Sequence, residues 1–427
     1  MYKYAKDKWK KFFSLLGPGF ISGAADDDPT AIATYTQSSA QFGLGLLWTS
    51  LFSLPFMVAI QEMCGRIGMV TGMGLTGVIK KYYSRKLLFG AVFLLLLANI
   101  INIGANLGAM AASAQLLFDL PFVVWLIAFA LFSLTLELSL SYKTYSRYLK
   151  YLALFLVSYV ILAFFLKLDW KEIFFATIFP NFSLDKGFLL VLVAILGTNI
   201  SPYLFFWQAS EEVEEEVEGG KLSAMGSQVP AVSRQDIRRL REDTFAGMLF
   251  SQIIAFFIAI TAAHVFAFYN IDSLAAAENP ANLARMLTPI AGSFSTILFV
   301  LGIVGSGLLA VPILSGSASY AIAECFGWRE GFYQKWKRAR GFYLVIIIAT
   351  LIGLAINFIG LPPFRLLVYS AALNGLLAPF LLVMILFVAN NKKIMNGYHN
   401  RALSNIFGIL ITVLLFALMA FFLFSLW

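Results

Sequence analysis

Apolar stretches of about twenty residues or more recur along the whole chain, each bounded by short polar or basic segments. Twenty apolar residues in a helix cross a hydrocarbon core of ~30 Å. Eleven such spans are expected, over residues 12–43, 44–66, 87–117, 121–141, 147–167, 188–210, 244–268, 293–325, 341–360, 366–390 and 403–427. The chain is 60% hydrophobic and 13% charged, whereas soluble domains carry roughly 25% charged residues. It has too few charges to coat a soluble fold of its 427 residues. The expected class is an all-α polytopic membrane protein. A secreted disulfide scaffold and a nucleic-acid binder are excluded. Cys64 and Cys325 lie in or beside apolar segments and read as inert buried thiols.

The net charge of +8 is topological. Of the 31 Lys and Arg, only Lys167, Lys171, Lys186, Arg285 and Arg365 fall on one side of the span alternation. Cytoplasmic loops are enriched in Lys and Arg, so the N-terminus is expected in the cytoplasm and the C-terminus outside. The start of the chain is basic and then apolar but lacks a small-residue cleavage site, so residues 1–11 read as a cytosolic tail. One longer insert, 211–243, opens with the acidic run Glu211-Glu212-Val213-Glu214-Glu215-Glu216. It reads as a helix extension leading into a solvated cytosolic loop.

Two spans are interrupted. The first contains Gly23-Ala24-Ala25-Asp26-Asp27-Asp28-Pro29-Thr30, the sixth Gly197-Thr198-Asn199-Ile200-Ser201-Pro202-Tyr203. Proline removes a backbone donor and clashes with the preceding turn. Freed carbonyls at membrane depth are tolerated only against protein or a water-filled cavity. Placed first and sixth, the breaks fit two five-helix halves in inverted orientation, 12–167 and 188–390, with 403–427 as an added helix. Such a pair points to a transporter's midplane site. Three aspartates near mid-bilayer cost about 2.5–3.5 kcal/mol each unless they meet water or an ion. Carboxylates with unwound carbonyls make an oxygen cage for a cation. Asp28 sits at the break and is the expected direct ligand, whereas Asp26 and Asp27 point away around the helix, toward a vestibule.

In these segments the sequence resembles the Nramp family of divalent metal transporters, over nearly its whole length. The family's entry motif is similar to Gly17-Pro18-Gly19-Phe20. Its Asp-Pro-Gly-Asn signature falls on Asp28-Pro29-Thr30-Ala31, its second-helix end on Gln61 and Ile67-Gly68-Met69-Val70-Thr71-Gly72, and its Met-Pro-His on Ser201-Pro202-Tyr203. The resemblance implies a LeuT-type fold, a divalent metal as substrate and no cofactor. A monomer in the plasma membrane is expected. The implied ligands are Asp28, Thr30, Thr198 and Ser201, with Ala31, Asn199, Tyr203, Asn102, Asn106 and Asn374 lining the cavity or the ion's hydration shell.

The departures bear on the substrate. The family's methionine is Ser201 here, its histidine Tyr203, and its third-helix acidic pair falls on Asn102 and Ala105. The thioether that favours soft metals is gone, and so are the groups used to carry protons. The pattern resembles the Nramp-related magnesium transporters, and implies Mg²⁺ uptake, with Mn²⁺ also bound, without proton coupling. The alternative is a proton-coupled Mn²⁺/Fe²⁺ carrier of the mainstream family. Asp26-Asp27-Asp28 is also similar to the Mg²⁺-binding motif of membrane prenyltransferases, but no second aspartate cluster exists, so no enzymatic activity is expected. Glu62, Glu137 and Glu324 lie near cytoplasmic helix ends, where partial hydration is expected.

Overall fold

The structure is a computed structural model that describes residues 17–140, 156–269 and 295–425, with isolated residues between these blocks. The tail at 1–11, Arg285 and, within the fifth expected span 147–167, residues 149–150 and 152–155 lie outside the described residues. Every described element of regular structure is a helix. The first span is split into α1 (Pro18–Asp26) and α2 (Pro29–Phe42). Next come α3 (Trp48–Thr71), a short α4 (Leu75–Tyr82), α5 (Arg85–Ala114), α6 (Phe122–Ser139), α7 (Val157–Ala163) and α8 (Trp170–Ile178). The sixth span is split into α9 (Lys186–Asn199) and α10 (Pro202–Glu218). The chain then runs through α11 (Arg234–Tyr269), α12 (Ser295–Phe326), α13 (Arg340–Ile356), α14 (Pro363–Asn390) and α15 (Ala402–Ser425). Eight described helical stretches are long and apolar enough to cross a membrane.

The two interruptions are built alike. Each consists of two non-helical residues, Asp27-Asp28 and Ile200-Ser201, followed by a proline at the first helical position. Proline is suited to that position because the N–H it lacks has no intrahelical partner there. At the first break the Asp28 carboxylate also caps the new helix, accepting from the Ala31 N–H at 2.9 Å.

Close backbone approaches hold the broken helices in place. A Cβ on Gly23 of α1 would lie 2.1 Å from the Gly247 carbonyl oxygen of α11, and one on Gly68 of α3 would lie 2.0 Å from that of Ala209 on α10. Small residues allow such contact between membrane helices. α2 packs on α11 and α10 on α3, the correspondence expected of inverted halves. Asp243 of α11 reaches across to cap α1, accepting from the Gly17 and Gly19 N–H groups at 2.7 Å each.

The insert at 211–243 keeps the expected helix extension but departs from its sequence reading in burial. α10 runs to Glu218 and α11 begins at Arg234, so the non-helical segment is only 219–233. The acidic run is not solvated: Glu211, Glu212, Glu214 and Glu216 are all buried. Glu212 takes its donor locally, from Gln208 at 2.8 Å, whereas the donors to Glu214 come from distant segments. The Glu214 carboxylate accepts from the Tyr320 hydroxyl at 2.5 Å and from the Phe332 and Tyr333 N–H groups at 2.5 and 3.2 Å.

Candidate metal site

The break between α1 and α2 faces α5. Asp28 is 1% exposed. Its Oδ1 takes the Ala31 N–H, and its Oδ2 accepts from Asn106 Nδ2 at 3.0 Å. Asn106 and Asn102 are four residues apart and therefore share one face of α5. Asn106 Nδ2 also donates to Asn102 Oδ1 at 3.0 Å. That same Asn102 oxygen accepts from Thr30 Oγ1 at 2.7 Å and from Ser370 Oγ of α14 at 3.3 Å. Asp28, Thr30, Asn102, Asn106 and Ser370 thus form one connected polar network. Ala31 contributes only its backbone N–H.

The second break meets the first through other bonds. The Tyr203 hydroxyl donates to the Ala25 carbonyl in the last turn of α1 at 3.0 Å, while the Ser317 hydroxyl holds Tyr203's own carbonyl at 2.9 Å. The Tyr35 hydroxyl of α2 donates to Asn199 Oδ1. Ser201 donates to the Thr198 and Gly197 carbonyls at 2.6 and 3.1 Å, so its proton is spent on the last turn of α9 and only its lone pairs remain for a cation. Thr198 and Ser201 make no hydrogen bond to Asp28 among the described residues. Asn374 of α14 is 1% exposed, and neither its Oδ1 nor its Nδ2 has a partner among the described residues.

Asp26 and Asp27 do not line an open vestibule: they are 2% and 1% exposed. α11 covers that side of α1, and Ser251 donates to Asp26 Oδ2 at 3.0 Å. The other Asp26 oxygen and both Asp27 oxygens have no partner among the described residues. The expected hydration of the helix-end glutamates also fails. Glu62 is buried and held by Arg66 Nη2 at 3.0 Å and Arg241 Nε at 2.9 Å. Glu137 is buried and accepts from Ser315 at 2.6 Å and Ser133 at 3.2 Å, and Glu324 is buried and accepts from the Gly77 N–H at 2.9 Å. In each case a neighbouring helix supplies the donor that water was expected to give.

Sequence reasoning passed over Ser370, Tyr35 and Ser251, whose hydroxyls meet the breaks from other helices without any motif to mark them. It also passed over Met110. That residue lies one turn beyond Asn106 on α5, with its thioether against Gly307 and beside Pro29. The signal available was the four-residue spacing that relates Asn102, Asn106 and Met110.

Known proteins resemble the chain over most of its length. The chain is 25% identical over 419 residues to the divalent metal cation transporter MntH of Caldanaerobacter subterraneus subsp. tengcongensis, covering 94% of this chain and 90% of that one. A solved manganese transporter of Eremococcus coleocola, in complex with an aromatic bis-isothiourea substituted compound, superposes with a TM-score of 0.76 at 19% identity. The match covers 96% of this chain and 86% of that one. MhsT in complex with L-phenylalanine superposes with a TM-score of 0.62 at 14% identity, covering 96% and 98%. The fold is therefore the LeuT type, with two inverted five-helix repeats, helices one and six broken, and an eleventh helix. The family described as natural resistance-associated macrophage protein-like, Nramp, matches residues 19–425, and the chain belongs to it.

Proposed function

We propose that the chain carries a divalent metal ion across the membrane by alternating access, with Asp28 as the charged ligand. One observation carries this reading: a buried carboxylate stands at a helix break, oriented by the Ala31 N–H and the Asn106 amide rather than by a cationic side chain. Thr30, Thr198 and Ser201 are the neutral oxygen donors of the proposed site, with Ala31, Asn102, Asn106, Asn199, Tyr203 and Asn374 around the hydrated ion. The distribution of Lys and Arg supports an N-terminus in the cytoplasm and a C-terminus outside a plasma membrane.

The comparisons favour manganese as cargo, because the relatives named above are a divalent metal cation transporter and a manganese transporter. On that reading the chain is a proton-coupled Mn²⁺/Fe²⁺ carrier, and the Met110 thioether beside Pro29 is its soft neighbour. A second reading rests on the motif positions themselves. Ser201, Tyr203, Asn102 and Ala105 offer neither a thioether nor a group that exchanges protons near neutral pH in its usual state. Hard oxygen donors suit Mg²⁺, which keeps several waters. Uptake would then be driven by the membrane potential, worth ~2.3 kcal/mol per charge per 100 mV, without a proton.

Metal uptake into proteoliposomes tests both readings, with Mg²⁺ and Mn²⁺ compared at two external pH values while luminal pH is followed. Saturable uptake that disappears in Asp28→Ala is expected, and undiminished uptake by that variant would overturn the assignment of the site. Mn²⁺ uptake with luminal acidification selects the mainstream reading. Mg²⁺ uptake without acidification selects the second.

A further inference from the structure

Away from the breaks, two cavities adjoin at one end of the bundle. The first, of about 620 Å³, is lined by Arg66, Arg234, Arg238, Arg241, Arg401 and His399. The second is a groove of about 700 Å³ along α3, α11 and the start of α15, walled by Leu54, Pro55, Val58, Phe245, Leu403 and Phe407. Arg241 and Arg401 line both.

The charges of the first cavity do not balance within it. Glu62 takes Arg66 and Arg241, and Glu242 takes Arg238 at 2.7 Å. Among the described residues the Arg234 and Arg401 guanidinium groups have no ion-pair or hydrogen-bond partner. The His399 Nδ1 is buried and likewise without a partner among them. The groove has the opposite character. Its rim exposes Phe245 (49%) and Leu403 (68%), apolar side chains of a kind that face lipid in a membrane protein.

We propose that this double cavity binds an anionic phospholipid, its phosphate among the arginines and an acyl chain along the groove. Arginine is suited to phosphate because its planar fork donates in pairs. Basic pockets between membrane helices hold lipid head groups, and the cytoplasmic leaflet, where the orientation above places this face, carries the anionic lipids. Neither cavity alone selects a lipid: the arginines would accept any phosphate, and the groove any alkyl chain. Their shared wall at Arg241 and Arg401 places the two demands next to each other in the order a phospholipid presents them. The bound lipid joins α15 to α3 and α11, which pack against the broken helices α10 and α1. It therefore stabilises the scaffold on which the breaks are mounted.

Native mass spectrometry of the full chain in detergent, with equimolar phosphatidylglycerol and phosphatidylcholine, tests this. Preferential retention of phosphatidylglycerol is expected. Arg401→Gln should lower that preference about fivefold, and Arg234→Ala with Arg401→Ala about 25-fold, from ~1 kcal/mol per basic residue. Ala402→Trp, which fills the groove and leaves the arginines in place, should also lower it. Equal retention of the two lipids, or a preference unchanged in the arginine variants, would overturn the proposal. So would a thermal stabilisation by inorganic phosphate that the arginine variants lose, with no preference between lipids, since the pocket would then be a site for free phosphate.

Discussion

Gly197 offers a direct test of how the site is mounted. It lies in the last turns of α9, two residues before the chain leaves the helix, and faces α14. A Cβ added there would sit 2.1 Å from the Ala371 carbonyl oxygen and 2.3 Å from the Gly375 nitrogen. Both are backbone atoms, so no side chain can rotate away. Ordinary contact begins at 3.4 Å, and Gly197→Ala therefore separates α9 from α14 by ~1.3 Å. Overpacking of this kind costs about 1–3 kcal/mol. At ~2.1 cal/mol/K per residue over 427 residues, that lowers Tm by ~1–3 °C. The displacement also reaches the site. Ser370 precedes Ala371 on α14, so the shift disturbs its 3.3 Å bond to Asn102. Losing a buried hydrogen bond of about 1 kcal/mol corresponds to roughly fivefold, so uptake should fall at least that much. Gly90→Ala is the control: it lies inside α5 with nothing within 4 Å of the added Cβ, and replacing a helical glycine gains about 0.5–1 kcal/mol. Thermal unfolding followed by tryptophan fluorescence should move in opposite directions for the two variants. If Gly197→Ala matches Gly90→Ala in both stability and uptake, the close packing of α9 on α14 is not what positions the site.

Tyr203→Phe removes the hydroxyl that bonds the Ala25 carbonyl, which should cost about 1–3 kcal/mol and lower Tm. Its uptake should keep the parent's pH profile, and a changed profile would place Tyr203 on a proton route. Glu330 lies in the segment between α12 and α13. Burial, with the nearby Glu324 and Glu214 carboxylates, pushes its pKa well above the ordinary value. The stability it contributes is full below its unfolded value of about 4.3 and is lost as pH rises toward the raised folded one. Glu330→Gln should therefore raise Tm near neutral pH and leave it unchanged near pH 4, as scanning calorimetry at both pH values would detect.

The helix breaks were legible because their signals are local. Pro29 and Pro202 each stop a helix at a definable residue, and the polar side chains around them have no place in lipid. Asn102 and Asn106 were legible as a pair through helical spacing alone. The acidic run was not. Consecutive glutamates read as solvated unless donors are known to be near, and the donors to Glu214 come from Tyr320, Phe332 and Tyr333, more than a hundred residues away. Arg66 reaches Glu62 within α3, but Arg241 joins it only through the packing of α3 on α11.

Asp26, Asp27 and Asp28 show how packing ranks residues that a sequence presents as equals. Each would cost about the same to insert into a bilayer. Asp28 receives one backbone and one amide donor, Asp26 receives the Ser251 hydroxyl, and Asp27 receives no donor among the described residues. The reason is the break itself. α1 ends at Asp26, and the extended backbone at Asp28 turns its carboxylate toward the first N–H groups of α2 and toward α5, whereas α11 covers Asp26. Asp28 is therefore the carboxylate whose direction is fixed by two donors, so the residue best placed to meet a cation is the one that caps the helix. The proposed ligand and the cap are therefore the same side chain. A cation that draws Asp28 toward itself competes with the Ala31 N–H for Oδ1, which couples its binding to the first turn of α2.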